Sequence, residues 1–254
     1  MKTKLIAALT ALVAGSMAIA APANAGDLKK YQAGEIAGFD KLLTQINDVG
    51  VIHKEAQALD PDWVKKHGVD LSKLFLVDDY EVKVHFLHEG AAYRNQFGYK
   101  ATGASNQSGL IFKDIVCTDQ PCLTSYLRKD IAPAEVLGKG DYKSLGTLKA
   151  DTQLDFFLNR DAYGRKVDDV WYNDTARNKD GLQHAMAYAI DNYVVLAWED
   201  IKGGGDKDYN DVVIALELGK KNVGAVKVPE PGVTTALFGL GIVGLARVRR
   251  QKKA

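Results

Sequence analysis

The sequence predicts a mainly β protein: an antiparallel β-sandwich of jelly-roll type, preceded by a helical segment and flanked by an apolar helix at each end. Three observations carry this. Apolar residues recur at helical spacing before residue 75 and at strand spacing after it. The strand-like runs are short and separated by clusters of Gly, Asp and Asn, as in antiparallel strands joined by turns. The two ends differ from everything between them, each being an uncharged apolar run beside basic residues.

Residues 1–25 read as an export signal. Lys2 and Lys4 form a positive start, and Leu5 to Ala20 is apolar apart from Thr10, Gly15 and Ser16. Ala23-Asn24-Ala25 supplies the small–x–small pattern that signal peptidase accepts, which places cleavage after Ala25. Residues 26–75 form the helical segment. Phe39, Leu42, Leu43 and Ile46 share one helix face. Asp60 can cap a second helix, Pro61 fits its first turn, and His67-Gly68 is a matching stop.

The β-sandwich is expected over 76–218. Its first strand has Tyr80, Val82, Val84 and Phe86 facing inward and Glu81, Lys83 and His85 facing water. Further strands are expected at 109–116, 144–149, 153–158, 184–190, 193–199 and 212–218. His85 and His88 read as strand surface residues. Residues 219–228 read as a linker. Residues 229–254 begin Pro229-Glu230-Pro231, continue through the uncharged stretch Val233 to Ala246, and end in Arg247, Arg249, Arg250, Lys252 and Lys253. Fourteen helical residues span only about 21 Å, short of a hydrocarbon core near 30 Å. The terminal position and the basic cluster nevertheless favour a short transmembrane helix with the basic end inside and everything before Pro229 outside.

This C-terminal order resembles the PEP-CTERM sorting signal, in which a Pro-Glu-Pro element, an apolar helix and an Arg-rich tail are recognised by exosortase. The resemblance implies secretion across the inner membrane and delivery to the cell surface or extracellular matrix. It also implies transient anchoring by the C-terminus. Signal peptidase and exosortase are then the partners during export.

All 32 acidic residues lie between 26 and 230, whereas seven of the 33 basic residues lie in the two end segments, so the part between carries a net charge of −6. Such a surface offers no footprint for nucleic acid. The two cysteines, Cys117 and Cys122, flank a turn-favouring Pro121, and an exported chain meets oxidising conditions; a local disulfide is expected.

The segment that carries chemistry is Trp198 to Asp211, between two apolar strands. Glu199, Asp200, Asp206, Asp208 and Asp211 lie within thirteen residues, with Asn210 among them and three consecutive glycines at 203–205. Calcium takes six to eight oxygens at about 2.3–2.6 Å, which suits this set. Glu199, Asp200, Asp206, Asp208, Asn210 and Asp211 are therefore the candidate ligands. The order is not that of an EF-hand. The competing reading is a solvated acidic turn, since Asp, Asn and Gly are ordinary turn residues.

The same segment is similar to the closing signature of the domain-of-unknown-function family 4114, through Trp198, Glu199, Asp200, Gly204, Gly205, Asp206, Asp208, Tyr209, Asn210 and Asp211. Asp180 to Ala185 resembles an earlier element of that family, and Gly90 to Asn95 with Gly98-Tyr99 resembles its opening hairpin. The resemblance implies an all-β domain with a calcium site and no established activity.

No nucleophile elbow, phosphate loop or zinc-protease motif is present, so no catalytic residue is expected. His184 reads as a structural histidine near the acidic loop. Tyr93, Tyr99, Trp171 and Tyr172 could form a sugar-stacking face, although strand aromatics also serve as core. The sequence thus points to a non-catalytic exported protein of the surface or a biofilm-type matrix. An exopolysaccharide-binding module and a secreted hydrolase are the alternatives.

Overall fold

The change of period at residue 75 marks the boundary between helical cover and sheets. The computed structural model describes residues 25–52, 59–117, 135–164 and 169–226. Among these residues ten strands follow one another: β1 (Phe75–Leu76), β2 (Tyr80–Glu89), β3 (Gln96–Gly103), β4 (Gln107–Phe112), β5 (Tyr142–Leu148), β6 (Thr152–Asn159), β7 (Val170–Tyr172), β8 (Ala185–Ile190), β9 (Tyr193–Trp198) and β10 (Val212–Glu217). They form two antiparallel five-stranded sheets. The first has the order β1-β6-β3-β4 with β7 also on β6; the second is β5-β2-β10-β9-β8. One apolar core joins them, and Phe97 of the first sheet meets Trp198 of the second edge-on at 5.8 Å.

The two sheets differ in cover, and their sequences say so. Along β6 buried and half-buried residues alternate, as in a sheet with one face in the core. All six residues of β9 are buried. Val194, Leu196 and Trp198 enter the shared core, whereas Tyr193, Val195 and Ala197 join a second cluster on the outer face. That cluster is closed by helix α1 (Phe39–Val49), which buries Phe39, Leu42 and Ile46. Helix α2 (Pro61–His67) adds Trp63, whose ring lies 5.1 Å from Tyr188 of β8. Asp60 caps α2 by accepting from the Asp62 N–H at 2.9 Å. The helical segment is thus a layer over the second sheet.

This layer corrects the reading of two histidines. His85 and His88 are buried, not on the strand surface. The His85 ring stacks on Phe39 at 4.5 Å, and its Nδ1 lies 3.2 Å from the Gly140 carbonyl. The β2 pattern looked half-exposed because the chain that covers it comes from distant residues. Residues 219–226 correct the linker: they form helix α3 (Gly219–Val226), with Val223 and Val226 in the core. Buried Asn222 accepts from the Val77 and Asp78 N–H groups at 2.8 and 2.9 Å. Two valines three apart supply a buried face that the flanking Gly and Lys residues disguise.

Strands β1, β3 and β7 were not among those expected, and Phe75 of β1 falls within the segment read as helical, although Gly98-Tyr99 of the expected opening hairpin lies in β3. Ala25 packs against the core, and the Gly26 N–H donates to the Ser144 carbonyl at 2.9 Å, so strand-like pairing begins right after the expected cleavage point. Cys117 is buried and is not a free thiol; Cys122 lies outside the described residues. Among the described residues no helix is long and apolar enough to cross a membrane. The apolar helices expected at the two ends, and with them Pro229, Glu230 and Pro231, fall outside the described residues.

Candidate metal centre

The acidic loop hangs between β9 and β10, whose pairing of Trp198 with Val212 fixes both its ends. Because side chains alternate along a strand, Trp198 goes to the core and the next two residues, Glu199 and Asp200, are carried into the sheet end. Both are buried. The structure brings five of the expected carboxylates together in two sets that share Glu199. Glu199, Asp200 and Asp211 form one, and Glu199, Asp206 and Asp208 the other. Within each set one oxygen per residue lies within 4.8 Å of the others. Two oxygens bound to one calcium at about 2.3–2.6 Å lie no farther apart than roughly this. The sixth expected residue, Asn210, stands beside the second set and donates its side-chain amide to Asp208.

Backbone N–H groups hold the cluster from within. Asp211 accepts from the Asp200 N–H at 2.8 Å. Glu199 accepts from the Ile201 and Lys207 N–H groups at 3.3 and 3.1 Å. Gly205 lies so close that a Cβ there would sit 2.1 Å from Glu199 Oε1, and its φ of +45° is left-handed. Lys207 and Tyr209 also take positive φ, of 63° and 55°, a conformation that side chains resist.

The electrostatics record the crowding. Burial, followed by the charge of Asp211, pushes the Glu199 carboxyl up to about 8. Asp200 and Asp211 are pushed up as well, first by burial and then by a carboxylate neighbour, Glu199 for Asp200 and Asp200 for Asp211. Asp200 Oδ1 is buried without a hydrogen-bond partner. An all-oxygen set of like charges with an orphaned buried oxygen fits a hard divalent cation.

Residues remote in sequence support this cluster. Asn95 donates to Asp200 Oδ2 at 2.7 Å and accepts from the Asp161 N–H at 2.9 Å. The Trp171 indole donates to the Asp200 carbonyl at 2.7 Å and lies flat on His184, 3.9 Å between centroids. His184 is structural, as read: Nδ1 lies 2.8 Å from the Glu199 carbonyl and Nε2 3.0 Å from Asp180. Burial alone would raise the Asp180 carboxyl, but the Gly203 N–H, His184 and the Leu182 N–H outweigh it and hold it at about 2. Only the resemblance pointed to Asn95 and Asp180; spacing along the chain carried no sign of either role. Of the expected stacking aromatics, Tyr99 and Trp171 are buried core residues, while Tyr93 and Tyr172 are half-buried.

Residues 148–219 match the model of a domain of unknown function, DUF4114, and residues 227–250 match that of the PEP-CTERM protein-sorting motif. The chain carries a DUF4114 segment and a PEP-CTERM sorting motif. The DUF4114 match contains the whole acidic loop, Trp171 and the Asp180–His184 pair, and begins after the β2–β3 connection that holds Asn95. The PEP-CTERM motif marks the chain for export, for processing by exosortase, and for the cell surface or extracellular space with a C-terminal anchor. No curated protein and no solved structure was found to match the chain.

Proposed function

We propose that this exported protein is a non-catalytic component of the cell surface or extracellular matrix whose jelly-roll-like β domain is braced by calcium at the β9–β10 loop. The observation that carries the reading is Asp200, whose Oδ1 is buried and unpartnered and one of whose carboxylate oxygens lies within 4.8 Å of Glu199 and Asp211 oxygens. Buried Glu199 and Asp200 and half-buried Asp211 can be charged together only at a cost in water-poor surroundings, and a divalent ion relieves both their repulsion and the orphaned oxygen. Glu199, Asp200 and Asp211 would form the inner part of the site. Asp206 and Asp208 would supply further oxygens through the shared Glu199. The ion would supply positive charge and a fixed geometry, tying the ends of β9 and β10 together outside the cell.

Binding to the folded state alone stabilises by about 2.7 kcal/mol at a hundredfold excess over Kd. The test is a thermal melt in chelator and in millimolar calcium, paired with native mass spectrometry. A higher midpoint in calcium and a bound ion are expected. An unchanged midpoint with no bound ion overturns the reading.

A further inference from the structure

The second sheet is covered on both faces, but the first is covered on one. Its open face holds a groove of about 260 Å³. The floor is the Phe157 ring, pressed on the backbone of its cross-strand neighbour Gly98, where a Cβ would lie 2.1 Å from the ring. Covering a strand glycine with an aromatic ring explains the pair Gly98–Phe157, but it does not explain what surrounds it. Tyr172 stands 6.4 Å from Phe157. The Arg177 guanidinium lies 3.6 Å over the Tyr172 ring. Lys100 and Asp155, paired across β3 and β6, line the groove. Among the described residues no ion pair engages Lys100, Asp155 or Arg177.

We propose that this groove is a subsite for an acidic sugar unit of an extracellular polysaccharide. A pyranose has a C–H face that packs on an aromatic ring and a rim of hydroxyls that needs hydrogen-bonding partners. Phe157 supplies the first, and the groups of Asp155 and Lys100 the second. The sign of the charge comes from the local balance: two cations to one carboxylate, on a chain segment that is otherwise acidic. Arg177 presents the planar fork that matches a carboxylate. It is held in place, since Asp174 caps its turn by accepting from the Ala176 N–H at 3.1 Å. Asn178 ties the same turn to Tyr172 by accepting from its N–H at 2.7 Å. At about 260 Å³ the groove is smaller than pockets for drug-sized ligands, about 300–1,000 Å³, which suits a single ring.

The test is calorimetry and NMR titration of the 26–226 portion within the full exported chain, using hyaluronan octasaccharide as the acidic probe and a dextran oligosaccharide of equal length as the neutral one. Both are run in calcium and in chelator, with circular dichroism verifying the fold. Binding of the acidic probe at least tenfold tighter than the neutral one is expected, with the Phe157 and Tyr172 ring signals shifting. Arg177→Gln and Lys100→Gln should each weaken it severalfold without moving the melt. Phe157→Leu keeps Gly98 covered but removes the ring, and should weaken binding too. Equal binding of both probes, no binding by the folded protein, or binding indifferent to R177Q and F157L overturns the proposal. The calcium reading is scored by the melt and the bound ion, so the two can fail separately.

Discussion

Glu199 shows how one side chain couples the loop to pH. In the ion-free fold its carboxyl keeps a proton to about pH 8, against an ordinary value of 4.5. The folded state therefore binds more protons than the unfolded chain between those values, and ion-free stability falls as pH rises through that window. Melts in chelator from pH 5 to 8 should show a declining midpoint, and calcium should reverse the decline because the ion displaces the proton. Asp200→Asn separates the two effects. It removes a buried like charge and keeps an acceptor for Asn95, so the ion-free midpoint should rise while the calcium increment disappears. A calcium increment equal to that of the parent chain would take Asp200 out of the site. Gly205→Ala places a methyl against Glu199 and fixes a left-handed φ on a residue with a Cβ. A loss of about 1–2 kcal/mol is expected by denaturant titration, together with weaker calcium binding. At this scale the six loop residues were legible, because their chemistry is concentrated in fourteen consecutive positions, 198–211. Asn95 was not legible from spacing, since what aims it at Asp200 is the packing of one sheet on the other.

Among the elements, helices α1 and α2 were readable from their own residues: a repeating apolar face in one, a capped start with proline in the other. Asp60→Ala should cost about 1 kcal/mol by removing the acceptor for the Asp62 N–H. What the helices do was not readable. Leu42 is buried on the outer face of the second sheet, so Leu42→Ala should lower stability of the whole domain by about 2–5 kcal/mol in a single transition. A separate early transition with the sheets intact would instead make the helical layer an independent appendage. Strand β7 escaped notice because three residues are too few to show a period, and it exists through its pairing with β6. Strand β3 escaped because Gly98 interrupts its apolar pattern, and that glycine is needed by a ring on the neighbouring strand.

Across the whole molecule, the C-terminal sorting motif marks where the protein goes, and the export signal expected at the N-terminus is open to direct test. Intact-mass analysis of the exported chain should find cleavage after Ala25, loss of the segment beyond the Pro229-Glu230-Pro231 motif, and a mass two hydrogens below the reduced form from a Cys117–Cys122 disulfide. An unprocessed N-terminus or a reduced pair would overturn the corresponding expectation. By itself the sequence determined the sorting motif, the mainly β class and the acidic loop, because each is written in neighbouring residues: charge beside apolar runs, a period of two, and carboxylates at short spacing. Only the tertiary structure decided that His85 and His88 are buried and that residues 219–226 are a helix. It alone also set Asn95 and Trp171 against Asp200, and left one sheet face open around Phe157. Those outcomes depend on which surfaces meet, and contacts between residues far apart in the chain leave no local period or spacing to read.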